Sequence, residues 1–325
     1  MTSDELPPYD SLPVRKDAPA RSSWGVWGDG DVFGCLNLLT AQRVRSAARL
    51  VQRGQVFALN WEMELPDPPL FGRAPFEHAV SWLPAQLGHD DAISNWNTQS
   101  SSQWDGFRHL QSDGHGFYAG VADEQHGVHH WARRGLAGRA VVLDVGRWRC
   151  KVGRPIDMTS GDVIEPQELL EVARDQNVAI STGDVLLIRT GWISWYRTLT
   201  LQQREQLASS PMSCPGLRGC EETARVLWDL HVAAVASDTP AFEALPPRYP
   251  TDSETDDEGV PAALQDAFVH LRLIPLLGMP IGELWDLDAL AADCAADGRW
   301  EGLFTSAPLN LQAGVASPPN ALVIK

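Results

Sequence analysis

Basic residues are scarce in this sequence. Its 325 residues include 26 Lys and Arg against 42 Asp and Glu, which gives a formal net charge of −16 at pH 7. A surface with this charge repels the phosphates of nucleic acids and of anionic lipids. The composition therefore argues against a nucleic-acid-binding protein and against one that docks on an anionic membrane, and it favours a soluble protein.

Cysteine pairs, long apolar runs and targeting signals are also missing. The five cysteines are odd in number and form no C-x-x-C motif, which fits a reducing compartment better than a disulfide framework. No run approaches the roughly 18 apolar residues of a membrane-spanning helix. The N-terminus has neither the basic nor the apolar region of a signal peptide. We therefore expect a cytoplasmic protein without a membrane segment.

Three short apolar runs predict buried strands. They are residues 140–145, 184–189 and 232–237, which are rich in Val, Leu, Ile and Ala. Segments with helical patterns separate them, and this interleaving predicts a single α/β domain with a mixed β-sheet over residues 23–325. Residues 1–22 are rich in Pro, Asp and Ser and predict a loosely ordered arm.

Weaker patterns complete the predicted order of elements. Thr40 is placed to cap a helix and Gly54 to end one. Helices are expected at residues 41–52, 166–177, 220–229, 261–270 and 286–297, further strands at 55–62, 273–277, 302–305 and 321–324, and irregular chain at 65–95.

One central stretch, residues 99–109, concentrates groups that can bind metal or transfer protons. Gln103 and Asp105 are two positions apart, so in a strand their side chains point the same way. Gly106 permits a sharp change of backbone direction, and His109 follows one helical turn after Asp105. The residues alone leave two interpretations open, a catalytic site at a strand end and a surface loop whose side chains cap the local backbone.

Two other stretches imitate metal sites. His126, His129 and His130 lie close together, but the sequence after them resembles a helix end, so we expect them to cap backbone groups or face solvent. Residues 250–259 are acidic and begin like a calcium loop, yet the twelfth position is Ala263 where such a loop carries Glu. We interpret this stretch as a solvated acidic loop.

The central stretch resembles the signature of the metal-dependent cyclase family, which includes bacterial kynurenine formamidases and isatin hydrolases. That signature reads H-x-G-T-H-x-D-x-x-x-H, and the same frame here reads Gln99-Ser-Ser-Ser-Gln103-Trp-Asp105-Gly-Phe-Arg-His109. The spacing, the Asp and the last His are kept, whereas Gln99 and Gln103 stand at the two ligand His positions. Further similar segments lie at residues 135–144, 186–192, 236–240 and 307–318, together with His270 and Glu283.

The resemblance implies a swivelling β/β/α-like fold and hydrolysis of a small amide, lactam, lactone or ester by metal-activated water. It implies that Asp105 is a metal ligand, that His109 is the general acid/base, and that His270 and Glu283 complete the site. It also implies a homo-oligomer, which we expect to be a dimer.

The two glutamines bear on the choice of metal. An amide oxygen is a harder and weaker ligand than imidazole. With Gln103 and Gln99 as candidate metal ligands next to Asp105, His270 and Glu283, the set is rich in oxygen and suits Mn²⁺ or Mg²⁺ better than structural Zn²⁺. We expect a divalent ion, Mn²⁺ or Zn²⁺, held more weakly than by the family's usual histidines.

Two alternatives to a metallohydrolase remain open. A metal-free cyclase, lyase or isomerase could use Asp105 and His109 as an acid/base pair, with Gln103 as an oxyanion donor. A non-catalytic protein of the same fold could bind a small molecule without turning it over. Metal content separates the first reading from the others, and activity without metal separates the last two.

Overall fold

A nine-stranded mixed sheet organises the molecule. The structure is a computed structural model, and it describes residues 6–112, 114–248, 264 and 267–325. The strands are β1 (Val56–Ala58), β2 (Glu77–Trp82), β3 (His89–Ser94), β4 (Gln103–Asp105), β5 (Leu136–Asp144), β6 (Val163–Ile164), β7 (Val185–Arg189), β8 (Gly216–Leu217), β9 (Ala234–Ser237), β10 (Ile281–Glu283), β11 (Glu301–Ser306), β12 (Ala316–Ser317) and β13 (Ala321–Ile324). The order in the large sheet is β1-β13-β11-β5-β7-β9-β10-β4-β12.

Short helices connect the strands. They are α1 (Ala41–Ala48), α2 (His129–Arg134), α3 (Val145–Lys151), α4 (Pro166–Asp175), α5 (Trp192–Arg197), α6 (Leu201–Ser209), α7 (Glu221–Asp229), α8 (His270–Leu273) and α9 (Asp288–Asp297). Single 3₁₀ turns occur at Tyr9–Ser11, Gly34–Leu38, Pro84–Gln86, Tyr118–Gly120 and Asp123–Gln125. None of the helices in the described part of the chain is long and apolar enough to cross a bilayer.

The predicted mixed α/β sheet is confirmed. Strands β5, β7, β9 and β10 run parallel at its centre, and antiparallel strands flank them on both sides. The three apolar runs form the parallel strands β5, β7 and β9, and these are almost fully buried because helices cover the sheet. This core positions β10, which pairs with β9 on one side and with β4 on the other.

Helix boundaries follow from local capping. Thr40 accepts a hydrogen bond from the backbone N–H of Arg43 and starts α1 as predicted. The helix ends at Ala48 rather than at residue 52, because residues 49–51 tighten into i→i−3 hydrogen bonds. Helix α4 starts at the predicted Pro166, where Glu165 and Glu168 form a capping box.

Two local predictions were wrong. Residues 65–95, predicted to be irregular, contain the antiparallel hairpin of β2 and β3. All twelve of its strand residues are exposed, so no alternation of buried and exposed positions marks it in the sequence. The apolar run at 273–277, predicted as a strand, begins in α8 and continues as buried turns, and a short apolar run cannot distinguish these states.

The N-terminal segment also differs from the expectation of a loose arm over residues 1–22. In its described part, Tyr9 is 1% exposed, and its backbone N–H donates to the Asp229 carboxylate over 2.8 Å. The indole N–H of Trp228 donates to the carbonyl of Pro7. Burial of Tyr9 against the end of α7 gives this polar segment an anchor that composition does not reveal. The acidic loop predicted at 250–259 and half of the helix predicted at 261–270 lie outside the described residues.

Candidate metal centre

The site begins with the pairing of β4 and β10. These strands are antiparallel, with Gln103 opposite Glu283 and Asp105 opposite Ile281. Side chains alternate along a strand, so Gln103, Asp105 and Glu283 lie on one face of the sheet, as the two-residue spacing predicts. The amide of Gln103 donates to Glu283 Oε2 over 2.5 Å. Two neighbouring strands thus bring two carboxylates and an amide together.

The opposite face of β4 holds this pair of strands in place. Trp104 is fully buried, and its indole N–H donates to Ser306 Oγ over 3.0 Å. The indole of Trp285 packs against it and donates to the carbonyl of Gln103 over 2.9 Å. Gly282, opposite Trp104 in the register, leaves space for this packing, since a Cβ there would lie 2.7 Å from Trp285 Nε1. The two tryptophans therefore pack behind the polar face and hold its strands in place.

His270, the first residue of α8, enters the site from a distant part of the chain. Its Nε2 lies 3.0 Å from Glu283 Oε1 and 3.7 Å from Asp105 Oδ2. Burial favours the neutral imidazole, but the charge of Glu243 and the interactions with the carboxylates of Asp105, Glu243 and Glu283 outweigh it and raise the pKa of His270 well above its ordinary value. His270 is therefore held among three carboxylates.

Glu243 is a site residue that the sequence did not reveal. Its side chain is fully buried, and its Oε2 lies 2.5 Å from His270 Nδ1. A carboxylate on Nδ1 directs the other nitrogen, Nε2, toward Asp105 and Glu283. The available signal was a single acidic residue within the apolar run 241–245. Asp and Glu are almost never fully buried unless they are paired, so a Glu in such a run indicates a buried partner.

His109 and Gln99 form the more open side of the site. Both are half-buried, and the amide nitrogen of Gln99 donates to Asp105 Oδ1 over 2.7 Å and lies 3.2 Å from His109 Nδ1. The rings of His109 and His270 are 6.4 Å apart between centroids. Burial lowers the pKa of His109, although the charge of Asp105 opposes this effect. The neutral amide of Gln99 thus links His109 to the carboxylate of Asp105.

The carboxyl groups respond differently to the same burial. Burial raises the pKa of Glu283 to about 7, and the nearby charge of Asp105 adds to this effect. For Asp105, burial also favours the neutral form, but the charges of His109 and His270 and the hydrogen bond from Gln99 outweigh it and lower the pKa. A buried cluster that brings two carboxyl groups together beside imidazole is suited to binding a cation.

The donor atoms fit a divalent metal ion. Asp105, His270 and Glu283 each offer a ligand atom, and these atoms all lie within 4.8 Å of one another. Gln103 Oε1, Asp105 Oδ2 and Glu243 Oε1 are buried and have no hydrogen-bond partner among the described residues. Buried polar atoms are usually satisfied, so three orphaned oxygens in a cluster around an imidazole point to a missing partner of positive charge.

All six residues predicted for the site lie together in the structure, namely Gln99, Gln103, Asp105, His109, His270 and Glu283. The other histidine cluster does not join them. His126 and His130 bond the carbonyls of Tyr118 and Gln125, and His129 accepts from the N–H of Ala313. These three histidines bind the backbone, as the sequence indicated.

The family model Cyclase matches residues 47–244. This range is more than half of the chain and contains both the central stretch and Glu243. The chain belongs to the cyclase family. Among solved structures, one described as a novel cyclase is 29% identical, with a TM-score of 0.75 over 94% of this chain and 99% of its own. No curated protein matches the chain.

Two isatin hydrolases share the cyclase fold at lower identity. Isatin hydrolase A from Labrenzia aggregata, solved with benzyl benzoate, is 17% identical and has a TM-score of 0.57 over 88% of this chain and 97% of its own. The enzyme of the same name from Ralstonia solanacearum has the same identity and TM-score, over 88% of this chain and 98% of its own. These likenesses show the fold of this cyclase-family chain.

Proposed function

We propose that this cyclase-family chain is a hydrolase that uses a divalent metal ion to cleave a small amide, lactam, lactone or ester. The observation that carries the proposal is the buried set of Asp105, His270 and Glu283, whose ligand atoms lie within 4.8 Å of one another, together with the buried, unpartnered oxygens of Gln103 and Asp105. An ion held there would polarise the scissile carbonyl and lower the pKa of a water molecule.

The ligands would be three oxygen donors and one nitrogen. Asp105 and Glu283 supply carboxylate oxygens, Gln103 an amide oxygen, and His270 the Nε2 atom. Hard oxygen ligands favour Mn²⁺, while imidazole and carboxylate are also common around catalytic Zn²⁺. Gln99 donates its amide N–H to Asp105 and so acts as a partner of a ligand rather than as a ligand.

His109 is placed to act as the general acid/base. It is half-buried at the open side of the site, and the amide nitrogen of Gln99 contacts both its ring and Asp105. Its lowered pKa keeps the imidazole neutral near pH 7, so that it can accept a proton from the attacking water and give it to the leaving nitrogen or oxygen. Gln99 fixes the orientation of the ring.

The metal-free alternative has weaker support. An acid/base pair of Asp105 and His109 would use a direct hydrogen bond between them, but the amide of Gln99 stands between the two side chains. That arrangement suits an Asp105 engaged with a cation and a His109 free to move protons.

The proposal is tested by metal analysis combined with a panel of hydrolysis probes. We expect about one divalent ion per chain after incubation with Mn²⁺ or Zn²⁺, and hydrolysis of at least one of isatin, dihydrocoumarin, formanilide and phenyl acetate. Chelation should abolish the hydrolysis, and added metal should restore it. Protein that binds no ion and hydrolyses none of the probes would contradict the proposal. Turnover that persists in chelator would favour the metal-free alternative.

The predicted homodimer and the cytoplasmic location remain predictions. Light scattering at micromolar concentration measures the mass directly. A mass of one chain would contradict the dimer.

A further inference from the structure

The accessible side of the site is defined by differences in burial. Gln103, Asp105, His270 and Glu283 are each at most 5% exposed, whereas Gln99 and His109 are half-buried. Of these six described residues, Gln99 and His109 are the ones that solvent reaches, so we take their side as the entrance for a substrate. Groups on this side are the first that a substrate meets.

Arg73 stands on this accessible side. It is half-buried, one of its guanidinium N–H groups donates to the carbonyl of Gln99, and the guanidinium lies 5.1 Å from the centroid of the Phe71 ring. Burial lowers the pKa of Arg73, and the charges of Glu283 and Asp105 oppose that effect. Arg73 is thus close enough to feel the site's carboxylates electrostatically while its contact is with the backbone beside them.

Arg73 differs from the other arginine near the site in its lack of a counter-ion. Arg108, the neighbour of His109 in sequence, is bound at 2.6 Å by both carboxylate oxygens of Asp123. No carboxylate of the described residues lies within ion-pairing distance of Arg73. This is unusual in a chain with a net charge of −16, where acidic partners are abundant. A guanidinium has five N–H donors, and those not used by Gln99 can serve a ligand.

We propose that Arg73 binds a carboxylate of the substrate, so that the substrate class is a small amide, lactam, lactone or ester that also carries a carboxylate. This inference rests on the proposed function in taking the Gln99 and His109 side as the substrate entrance. A guanidinium recognises a carboxylate through two parallel hydrogen bonds, which gives both affinity and orientation. Bound in this way, the substrate would be held beside His109.

Equilibrium binding of benzoate and its neutral isostere benzamide tests the inference without turnover. Calorimetric titrations are made with metal-loaded protein and again in chelator, so that coordination by an ion can be separated from binding by Arg73. Wild-type protein should bind benzoate at least about tenfold more tightly than benzamide in both conditions. Arg73→Gln should abolish this preference and leave benzamide binding unchanged.

Arg133→Gln is the matched control. Arg133 is exposed on α2 and its side chain donates to Gln312, which is not a residue of the site, so this variant removes the same charge without removing a site contact. It should keep the full preference for benzoate. Arg73→Lys, which retains a charge and one donor for Gln99, should reduce the preference severalfold without reversing it, and it serves as the test if Arg73→Gln does not fold.

Hydrolysis of phenyl acetate and 3-acetoxybenzoate provides a second readout. The two esters differ by one carboxylate, and Arg73→Gln should raise KM for 3-acetoxybenzoate alone. The inference is overturned if wild-type protein shows no preference for benzoate, or if folded Arg73→Gln retains it. If the preference depends on Arg73 but no probe is hydrolysed, the anion site stands and the hydrolase proposal fails.

Discussion

The ring centroids of the site's two histidines, His270 and His109, are 6.4 Å apart, yet the polar groups around the two rings differ. His270 is 3% exposed and faces Glu243, Glu283 and Asp105. His109 is half-buried, and its nearest polar contact is the neutral amide of Gln99. Charge around the first histidine raises its pKa, while burial without a contacting charge lowers the pKa of the second.

Under the proposed function, this difference separates a metal ligand, His270, from a proton carrier, His109. An imidazole fixed on Nδ1 by a carboxylate presents a fixed lone pair on Nε2, which is what a metal ligand needs. An imidazole with a neutral neighbour and access to solvent can exchange its proton near neutral pH. Both histidines can be recognised in the sequence, but the difference between their surroundings cannot. That difference arises from another residue, Glu243.

The largest expected effect comes from removing His109, the proposed proton carrier. His109→Ala should slow hydrolysis by about 10²–10⁴, the range for a lost general acid/base. Affinity for Mn²⁺ or Zn²⁺ should stay within about twofold of wild type, because His109 lies outside the set of ligand atoms that converge on one point. Steady-state rates and calorimetric metal titration on the same preparation measure the two quantities. A large loss of metal affinity would instead make His109 a ligand and remove the contrast with His270.

The next effect comes from the residue that holds the ligand histidine. Glu243→Ala should weaken metal binding by about 10- to 100-fold, as expected for a lost partner of a metal-bound histidine. Glu243→Gln keeps a hydrogen-bond acceptor for Nδ1 and should lose less. The ¹⁵N shifts of His270 should report a changed tautomer or protonation state in Glu243→Ala. Unchanged metal affinity and unchanged shifts in a folded Glu243→Ala protein would show that Glu243 does not position His270.

Proton release gives a third way to compare the two histidines. The pKa of His270 is raised and that of Glu283 is raised to about 7, so the metal-free protein holds protons that ligation must displace. Metal affinity should therefore rise with pH through about 7, by up to about tenfold per pH unit for each proton released. Titrations in buffers of different ionisation enthalpy count the protons. His109→Ala should release the same number, because His109 is already neutral there; a smaller number would mean that His109 takes part in the displaced network.

The same folded-state protonation predicts the pH dependence of stability in chelator. Both groups bind protons more tightly folded than unfolded, so their contribution is fully present at low pH, below the unfolded pKa of each group. It is lost as the pH rises through about 7 for Glu283 and higher for His270.

Local periodicity was sufficient for some features and not for others. The spacing of Gln103 and Asp105 places them on one face because a strand alternates with period two, whatever the rest of the chain does. The apolar runs at β5, β7 and β9 mark buried strands for a similar reason. These predictions depend on short-range geometry alone.

The features that the sequence did not predict depend on contacts between distant segments of the chain. Glu243 becomes part of the site only because the chain after β9 passes beside α8, and an isolated acidic residue carries no mark of that neighbour. The β2–β3 hairpin lacks a buried face in the described chain, so the usual alternation of strands is absent. Arg73 likewise reaches the site through the carbonyl of Gln99, a contact without any signal in the side-chain pattern.

The smallest expected effect concerns Gln103. Its Oε1 is buried without a hydrogen-bond partner among the described residues, whereas its amide nitrogen donates to Glu283. Gln103→His replaces a weak amide donor with imidazole and should tighten Zn²⁺ binding severalfold, with a smaller gain for Mn²⁺, because imidazole favours zinc. Turnover need not follow, since a changed geometry can hold the water away from His109. The matched control is Gln99→His: Gln99 uses its amide nitrogen to bond Asp105, so the change should leave the Zn²⁺ preference nearly unaltered while disturbing His109. Competition between Zn²⁺ and Mn²⁺ for binding, measured on both variants, tests whether Gln103 faces the ion and Gln99 does not. An equal gain in Zn²⁺ preference from either substitution would mean that both glutamines face the ion, and that the division between a ligand side at His270 and a proton-transfer side at His109 does not hold.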